Sequence, residues 1–275
     1  MSDPATSFDL DAYLKRIGYA GRRVPTLDTL RAIHALHPAS IPFENLNPLL
    51  RIPVVLDIRS LQAKLIDAKR GGYCFEHNLL LKTALETLGF AVTGLAARVL
   101  WGRTPDAITS RGHMVLLVEV EGEQYIADVG FGGQTMTGPL RLELDTEQAT
   151  PHEPCRLVEW GGDFLLETKI RDEWKPMYRF DLQRQHLIDY EVSSWYLSNH
   201  PQSHFVTGLR AARAVQGRRF NLLGKELTTH TLGAQSTTRT LRSVDELTEA
   251  LETTFGIQLP EHPELRRKLG AIIEA

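Results

Sequence analysis

Cysteine is scarce in this sequence, which has only Cys74 and Cys155 among its 275 residues. Two cysteines are too few for a disulfide framework, and we expect a reducing compartment to keep both as free thiols. Long runs of lysine and arginine are absent as well, and the formal net charge is -3. Because nucleic acids and anionic membranes attract basic surfaces, we expect neither as a partner.

Long hydrophobic runs are also missing. No apolar segment approaches the roughly 18 to 20 residues that span a bilayer, and the start, MSDPATSFDLDAYL, lacks the positive end and the cleavage site of a signal peptide. We therefore predict a cytoplasmic protein. The sequence does have 42% hydrophobic residues, which is enough for a sizeable core in one or two domains.

Hydrophobic periodicity changes along the chain. In the first part, apolar residues recur at helical spacing, and helices are predicted to stop at Gly18, Pro38 and Gly89. From Phe90 onward, short alternating runs separated by turn residues predict an antiparallel sheet or barrel. The remainder mixes strands with a helix that Ser243 is expected to cap. The pattern therefore predicts helices, then a sheet, then a smaller mixed α/β end.

Cys74 has the setting of a reactive thiol. It follows Gly71 and Gly72 and begins the apolar-periodic run of KRGGYCFEHNLLLKTALETLGF, which places it in the first turn of a predicted helix. Unpaired N–H groups and the positive end of the helix dipole favour the thiolate there. Glycines let the backbone turn tightly and let a substrate approach. Cys74 is a candidate nucleophile, although many free cysteines are buried and inert, which is our interpretation of Cys155.

A catalytic thiol needs a base, and the segment RGHMVLLVEVEGEQYIADVGFGG offers one. It predicts two strands joined by a turn at Gly122. With a loop of two or four residues, His113 and Asp128 share a face of this hairpin, directly opposed or diagonal, whereas a three-residue loop separates them. Asp128 also interrupts an apolar strand, where an unpaired carboxylate is costly. The alternative is a solvated aspartate and a surface histidine.

Together, Cys74, His113 and Asp128 predict a triad for acyl transfer. The thiolate would attack, the imidazole would move the proton, and the carboxylate would fix the ring. A competing use of Cys74 is as a metal ligand, because His77 follows it at the i, i+3 spacing that a pair of zinc ligands can have. No second pair of ligands follows, so we predict no metal and expect His77 to take part in helix packing or local hydrogen bonds.

Three sequence elements resemble those of the arylamine N-acetyltransferase family. RGGYCFEHN, GHMVLLVEV and YIADVGFGG are similar to the segments that carry its cysteine, histidine and aspartate, which map to Cys74, His113 and Asp128. IPFENL, SSWYLSNHPQSHF and LRSVDELTEALETTFGIQL are similar to other recurrent elements. The resemblance covers nearly the whole chain, and Ser194 stands where we expect asparagine.

The resemblance implies an α+β fold with a cysteine-protease-like core. A helical bundle over residues 1–90 would carry the nucleophile, a central antiparallel β-barrel over 91–195 would carry the histidine and aspartate, and a C-terminal α/β lid would span 196–275. It also implies ping-pong transfer of an acetyl group from acetyl-coenzyme A, through acetyl-Cys74, to the nitrogen of arylamines, arylhydrazines or N-arylhydroxylamines.

Binding residues follow from the same resemblance. Phe43, Val99 and Phe131 are expected to wall an apolar acceptor pocket, although each is equally well explained as ordinary core. The arm of coenzyme A is expected to run beside the triad. The residues expected along it are Ser110, Arg111, Gly112, Gly132 and Gly133. Alternatively, the last two glycines only form a turn. The sequence has no phosphate-binding loop of the GxxxxGK type.

Three other functions remain open from the residues alone. An amide synthase acting on another thioester would use the same fold and triad. A papain-like thiol hydrolase has the same order of cysteine, histidine and aspartate. A non-enzymatic ligand-binding protein would carry Cys74 as an incidental thiol.

Overall fold

The first helices begin and end largely where the sequence supplies caps. The computed structural model describes residues 8–275. Residues 1–7, on which the prediction of no signal peptide partly rests, lie outside the described part. Helix α1 (Leu10–Ile17) begins at Asp9, whose side chain accepts the N–H of Ala12, and ends at Gly18 with a φ of 72°. The predicted stop at this glycine is confirmed.

Helix α2 (Leu27–Ser40) begins at the Thr26 cap but runs past Pro38. The predicted end at this proline was wrong. Because proline lacks an N–H, it removes one hydrogen bond of the last turn, but the N–H of Ile41 still donates to the carbonyl of His37 at 2.8 Å. Pro38 is also buried, so packing supports the turn.

The remaining helices lie in all three parts of the chain. They are α3 (Leu46–Leu50), α4 (Ile58–Gln62), α5 (Cys74–Thr87), α6 (Leu187–Asn199), α7 (His204–Thr207), α8 (Val244–Glu249) and α9 (Leu265–Glu274). π-helical turns extend α4 over Ala63–Asp67 and α8 over Ala250–Thr254. Among residues 8–275, no helix is both long enough and apolar enough to cross a lipid bilayer.

Seven strands form an antiparallel sheet in the order β5-β4-β3-β2-β8-β7-β6. Their bounds are β2 (Ala91–Val99), β3 (His113–Val120), β4 (Glu123–Ala127), β5 (Leu140–Arg141), β6 (Cys155–Trp160), β7 (Asp163–Ile170) and β8 (Glu173–Phe180). The sheet curls into a nearly closed barrel, because the segment after β5 returns to β6, where Gln148 and Cys155 exchange backbone hydrogen bonds of 2.8 and 3.0 Å. Its interior is filled by apolar side chains such as Leu95, Val115 and Leu166.

The β3–β4 hairpin decides how the candidate residues face each other. Its loop is the two-residue turn Glu121 and Gly122, both with positive φ (55° and 80°), which matches the twist of the strands. Leu116 pairs with Ala127. One of the two predicted loop lengths is therefore found, and it is the one that places Asp128 diagonal to His113.

A second sheet has the order β1-β9-β10-β11-β12. Its strands are β1 (Phe43–Glu44), β9 (Arg210–Val215), β10 (Arg218–Leu223), β11 (Glu226–Thr231) and β12 (Thr237–Thr240). The short β1 brings Phe43 opposite Ala212, so the first part of the chain supplies an edge strand to the last. The division at residues 90 and 195 stays a prediction, and the second boundary falls inside α6.

Candidate active site

Cys74 is the first residue of α5, as predicted. Its side chain is nearly buried, with 4% exposed, and its sulfur lies 3.7 Å from the carbonyl oxygen of Gly112. Glu76, in the first turn, accepts the N–H of Tyr73 at 3.0 Å. This contact satisfies a donor at the helix start and fixes the direction in which the chain enters α5.

The two glycines before the cysteine are required by close contacts. A Cβ on Gly71 would lie 1.9 Å from the carbonyl oxygen of Pro42, and one on Gly72 would lie 2.6 Å from a carboxylate oxygen of Glu76. Such distances are far inside van der Waals contact, so a side chain at position 71 would displace the backbone of Pro42 and one at position 72 would displace the Glu76 side chain. The glycines therefore set the position of Cys74 at the head of α5.

His113 and Asp128 form a buried pair. The Nε2 of His113 lies 2.7 Å from Oδ2 of Asp128, and 2% and 0% of the two residues are exposed. The other carboxylate oxygen accepts the amide of Asn78 at 2.8 Å and the N–H of Gly130 at 2.9 Å. Asp128 is thus fully hydrogen-bonded, which is what a buried carboxylate requires.

The pair holds a proton on the imidazole. Burial alone would lower the pKa of His113, but the charge of Asp128, its hydrogen bond and the Cys74 thiol outweigh burial and raise the pKa to about 10. Burial likewise favours a higher pKa for Asp128, and the histidine charge with the three hydrogen bonds lowers it. Since Nε2 binds the carboxylate, Nδ1 is the ring nitrogen left for the sulfur of Cys74.

Neighbouring groups hold these three residues together. A Cβ on Gly130 would lie 2.7 Å from the Cα of Cys74, so a glycine is needed where the loop after β4 packs on α5. The ring of His113 packs against two aromatic rings, with centroids 5.4 Å away in Phe131 and 5.1 Å away in Tyr178. These contacts restrict the rotation of the imidazole.

Sequence reasoning missed Asn78, although it lies one turn after Cys74 on the same helix face. Its amide donates to the carbonyl of Met114 at 2.7 Å and to Asp128 at 2.8 Å, and its oxygen accepts the N–H of Val129 at 3.0 Å. One side chain therefore joins α5, β3 and the loop after β4. The available signal was the i, i+4 spacing from the cysteine.

Replacing Asn78 with alanine is expected to lower the free energy of unfolding by about 2 to 4 kcal/mol, because three buried hydrogen bonds lose a partner. Any reaction that uses the three residues should slow by more than the unfolded fraction of the protein explains, since Asp128 is no longer held. Chemical denaturation and kcat measured on the folded protein test this. Asn199→Ala is the matched control, because its exposed side chain bonds only within α6; equal effects of the two variants would contradict the assignment.

A cavity of about 1320 Å³ opens beside the pair and includes Cys74 and His113 in its wall. Most residues predicted to bind substrates also line it. They are Phe43, Val99, Ser110, Gly112, Phe131, Gly132 and Gly133. Arg111 does not line this cavity, because its guanidinium instead pairs with Asp181 at 2.5 Å.

Other cavity residues were not predicted. Trp101 lies edge-on to Phe131, with ring centroids 6.4 Å apart. The second sheet and the β7–β8 hairpin contribute polar and charged residues. These include Lys169, Arg171, Lys175, Arg210, Arg219 and Asn221, and the loop between β2 and β3 adds Arg103. No motif marks them, since they reach the cavity only when the two sheets face each other.

The other two candidates, His77 and Cys155, are both buried. His77 takes part in a buried chain in which its Nδ1 lies 2.9 Å from His37 and its Nε2 lies 3.2 Å from the carbonyl of Pro42. Among residues 8–275, no cluster of three histidine, cysteine or acidic side chains has metal-binding geometry. Cys155 is buried in the barrel, and burial raises the pKa of its thiol to about 11.

The fold and the site define a class of α+β proteins in which a helix-borne cysteine faces a histidine–aspartate pair on a β-barrel. A family model described as N-acetyltransferase matches residues 26–264. An arylamine N-acetyltransferase of Mycolicibacterium smegmatis is 50% identical over 92% of this chain and 93% of that protein. The chain belongs to the arylamine N-acetyltransferase family, which confirms the family and the enzyme class predicted from the motifs.

Two further relatives agree in fold and sequence. The solved structure of Mycobacterium marinum arylamine N-acetyltransferase in complex with CoA has a TM-score of 0.92 and 42% identity, and the match covers 96% of this chain and 99% of that one. A Salmonella typhimurium protein named arylamine N-acetyltransferase / N-hydroxyarylamine O-acetyltransferase is 39% identical over 98% of this chain and 96% of that protein. The predicted α+β class is confirmed.

Proposed function

We propose that this chain transfers an acetyl group from acetyl-coenzyme A to the nitrogen of arylamines, arylhydrazines or N-arylhydroxylamines, and that it does so in the cytoplasm. The observation that carries the proposal is the position of His113. Its ring bonds Asp128, and it shares with Cys74 the wall of a cavity large enough for both substrates.

In the first half-reaction, the Cys74 thiolate attacks the carbonyl carbon of the acetyl thioester. A carbon–sulfur bond to Cys74 forms, and the bond to the coenzyme A sulfur breaks. The imidazolium of His113 gives its proton to the leaving thiolate, so coenzyme A departs as a thiol. N–H groups at the start of α5 stabilise the oxyanion of the tetrahedral intermediate.

In the second half-reaction, the amine nitrogen attacks the acetyl carbon on Cys74. Neutral His113 accepts the proton that the amine loses, and the carbon–sulfur bond to Cys74 breaks. The products are the acetamide and the thiolate–imidazolium pair, which is ready for another donor. Asp128 stabilises the imidazolium in both halves and keeps Nδ1 directed at the sulfur.

Apolar residues around the triad suit an aromatic acceptor. We assign three side chains to the walls of the acceptor pocket, and all of them line the cavity: Phe43, Val99 and Phe131. The ring of Phe43 packs against Gly132, since a Cβ placed on this glycine would lie 3.5 Å from the ring. An apolar slot excludes water, which would otherwise hydrolyse the acetyl-enzyme.

The donor would occupy the more polar part of the cavity. We assign Ser110, Gly112, Gly132 and Gly133 to the pantetheine arm, because they line the same cavity as Cys74. The β7–β8 hairpin adds three cations that can attract the phosphates of coenzyme A. They are Lys169, Arg171 and Lys175.

Intact-protein mass spectrometry after exposure to acetyl-coenzyme A tests the function. We expect one acetyl group on Cys74, and we expect an added arylamine to remove it and yield an equal amount of acetamide. Release of acetate without acetamide would instead identify a thiol hydrolase. An unmodified protein that forms no acetamide would contradict the proposal.

A further inference from the structure

One face of the second sheet looks into the cavity, and strand register identifies the residues on it. Ala212 pairs with Phe43 on one side and with Asn221 on the other. Arg210 pairs with Leu223, two residues along both strands. Directly opposed residues share a face, and so do residues two apart. Phe43, Asn221 and Arg210 therefore point to the same side, and all three line the cavity.

Arg210 has a positive charge with no counter-charge in the part of the chain that the structure describes. Its Nε is buried without a hydrogen-bond partner among residues 8–275, and its guanidinium makes no ion pair with any of them. Burial is the only cause that shifts its pKa, which is lowered. By contrast, Arg219 on the same face donates to Glu153 at 2.7 and 3.0 Å and to the carbonyl of Thr135 at 2.8 Å.

A second unpaired polar atom lies on the same face. The Oδ1 of Asn221 is buried and has no hydrogen-bond partner in the part of the chain that the structure describes. Buried polar groups in proteins are nearly always paired, and an unpaired charge is costlier than an unpaired amide. Two such groups on one wall of one cavity indicate a surface that a ligand completes.

The backbone of Arg210 is held independently of its side chain. Asn45 accepts its N–H at 2.7 Å and donates to the carbonyls of Phe205 and Gly208, both at 2.7 Å. Because strand residues rise by about 3.3 Å each, Arg210 lies about 7 Å along β9 from the residue opposite Phe43. The backbone of Arg210 is thus fixed at the cavity wall near the aromatic residues that we assign to the acceptor.

We infer that Arg210 is the anion-recognition residue of this cavity and binds a pair of anionic oxygens on a substrate. Guanidinium binds carboxylate and phosphate groups through two parallel hydrogen bonds. The oxygens belong either to a carboxylate on the acceptor or to a phosphate of coenzyme A. This inference rests on the proposed acetyl transfer, which supplies both kinds of substrate.

Steady-state kinetics on Arg210→Met and Arg210→Lys separate the two sources. One arm compares para-aminobenzoate with para-aminobenzamide, using acetyl-coenzyme A. The other compares acetyl-coenzyme A with S-acetylpantetheine, using the uncharged amide as acceptor. Arg184→Met is the matched control, because this arginine is exposed and lies outside the cavity.

For Arg210→Met we expect kcat/KM to fall about 10- to 100-fold with the anionic member of one pair and to change little with the neutral member. Arg210→Lys should recover part of that loss. Equal losses with all four substrates, or no loss with any, would overturn the inference. The unmodified protein should also transfer the acetyl group from S-acetylpantetheine to para-aminobenzamide, and this reaction between two uncharged substrates reports separately on the proposed function.

Discussion

Replacing Cys74 with alanine is expected to reduce acetyl transfer at least about 10⁴-fold, because no other group can carry the acetyl intermediate. The His113–Asp128 pair stays in place, since its hydrogen bond does not involve the sulfur. Loss of one small buried side chain should change the free energy of unfolding by only about 1 kcal/mol. Product formation and intact mass, measured on the same sample, check both parts.

Cys155→Ala is the matched control for this variant. Both thiols are buried, but Cys155 lies in the barrel interior, away from the cavity lining. We expect the control to retain transfer and to accept one acetyl group. Substantial transfer by Cys74→Ala, or acetylation of Cys155 in the unmodified protein, would contradict the assignment of the nucleophile.

Local sequence was sufficient to place the parts of the triad. The glycines before Cys74 and the periodic run after it predict a helix start, which the structure has. The turn at Gly122 limited the loop length, and loop length fixes which residues share a face of the hairpin. What the sequence could not decide was whether the hairpin lies against α5. That contact depends on Asn78 and Gly130, which are 52 positions apart.

Residues that meet across long separations were missed for the same reason. Strand β1 has two residues, too few for a periodic signal, yet it aligns Phe43 with Ala212. Arg210 becomes a cavity residue only through that pairing. Arg111 lies in the segment that we predicted to run along the arm of coenzyme A. Its ion pair with Asp181 joins positions 70 apart, and no local pattern indicates such a partner.

Replacing Asp128 with asparagine is expected to lower kcat about 10⁴-fold, because the amide cannot stabilise an imidazolium. With the carboxylate charge removed, burial dominates and the pKa of His113 should fall below its ordinary value. The ring would then be neutral at pH 7 and would not supply a proton to the coenzyme A thiolate. Asp163→Asn is the matched control, because Asp163 pairs with Arg179 at 3.0 Å outside the triad.

The pH dependence of stability tests the same pair independently of activity. Because the folded pKa of His113 is raised, to about 10, its charge stabilises the fold fully below the unfolded value of about 6.5 and loses this effect as the pH rises towards 10. The melting temperature of the unmodified protein should therefore exceed that of Asp128→Asn most near pH 6, and the difference should narrow by pH 10. A difference that stays constant over this range would show that the carboxylate does not hold a proton on His113, and the proposed proton transfers would then have no charged donor.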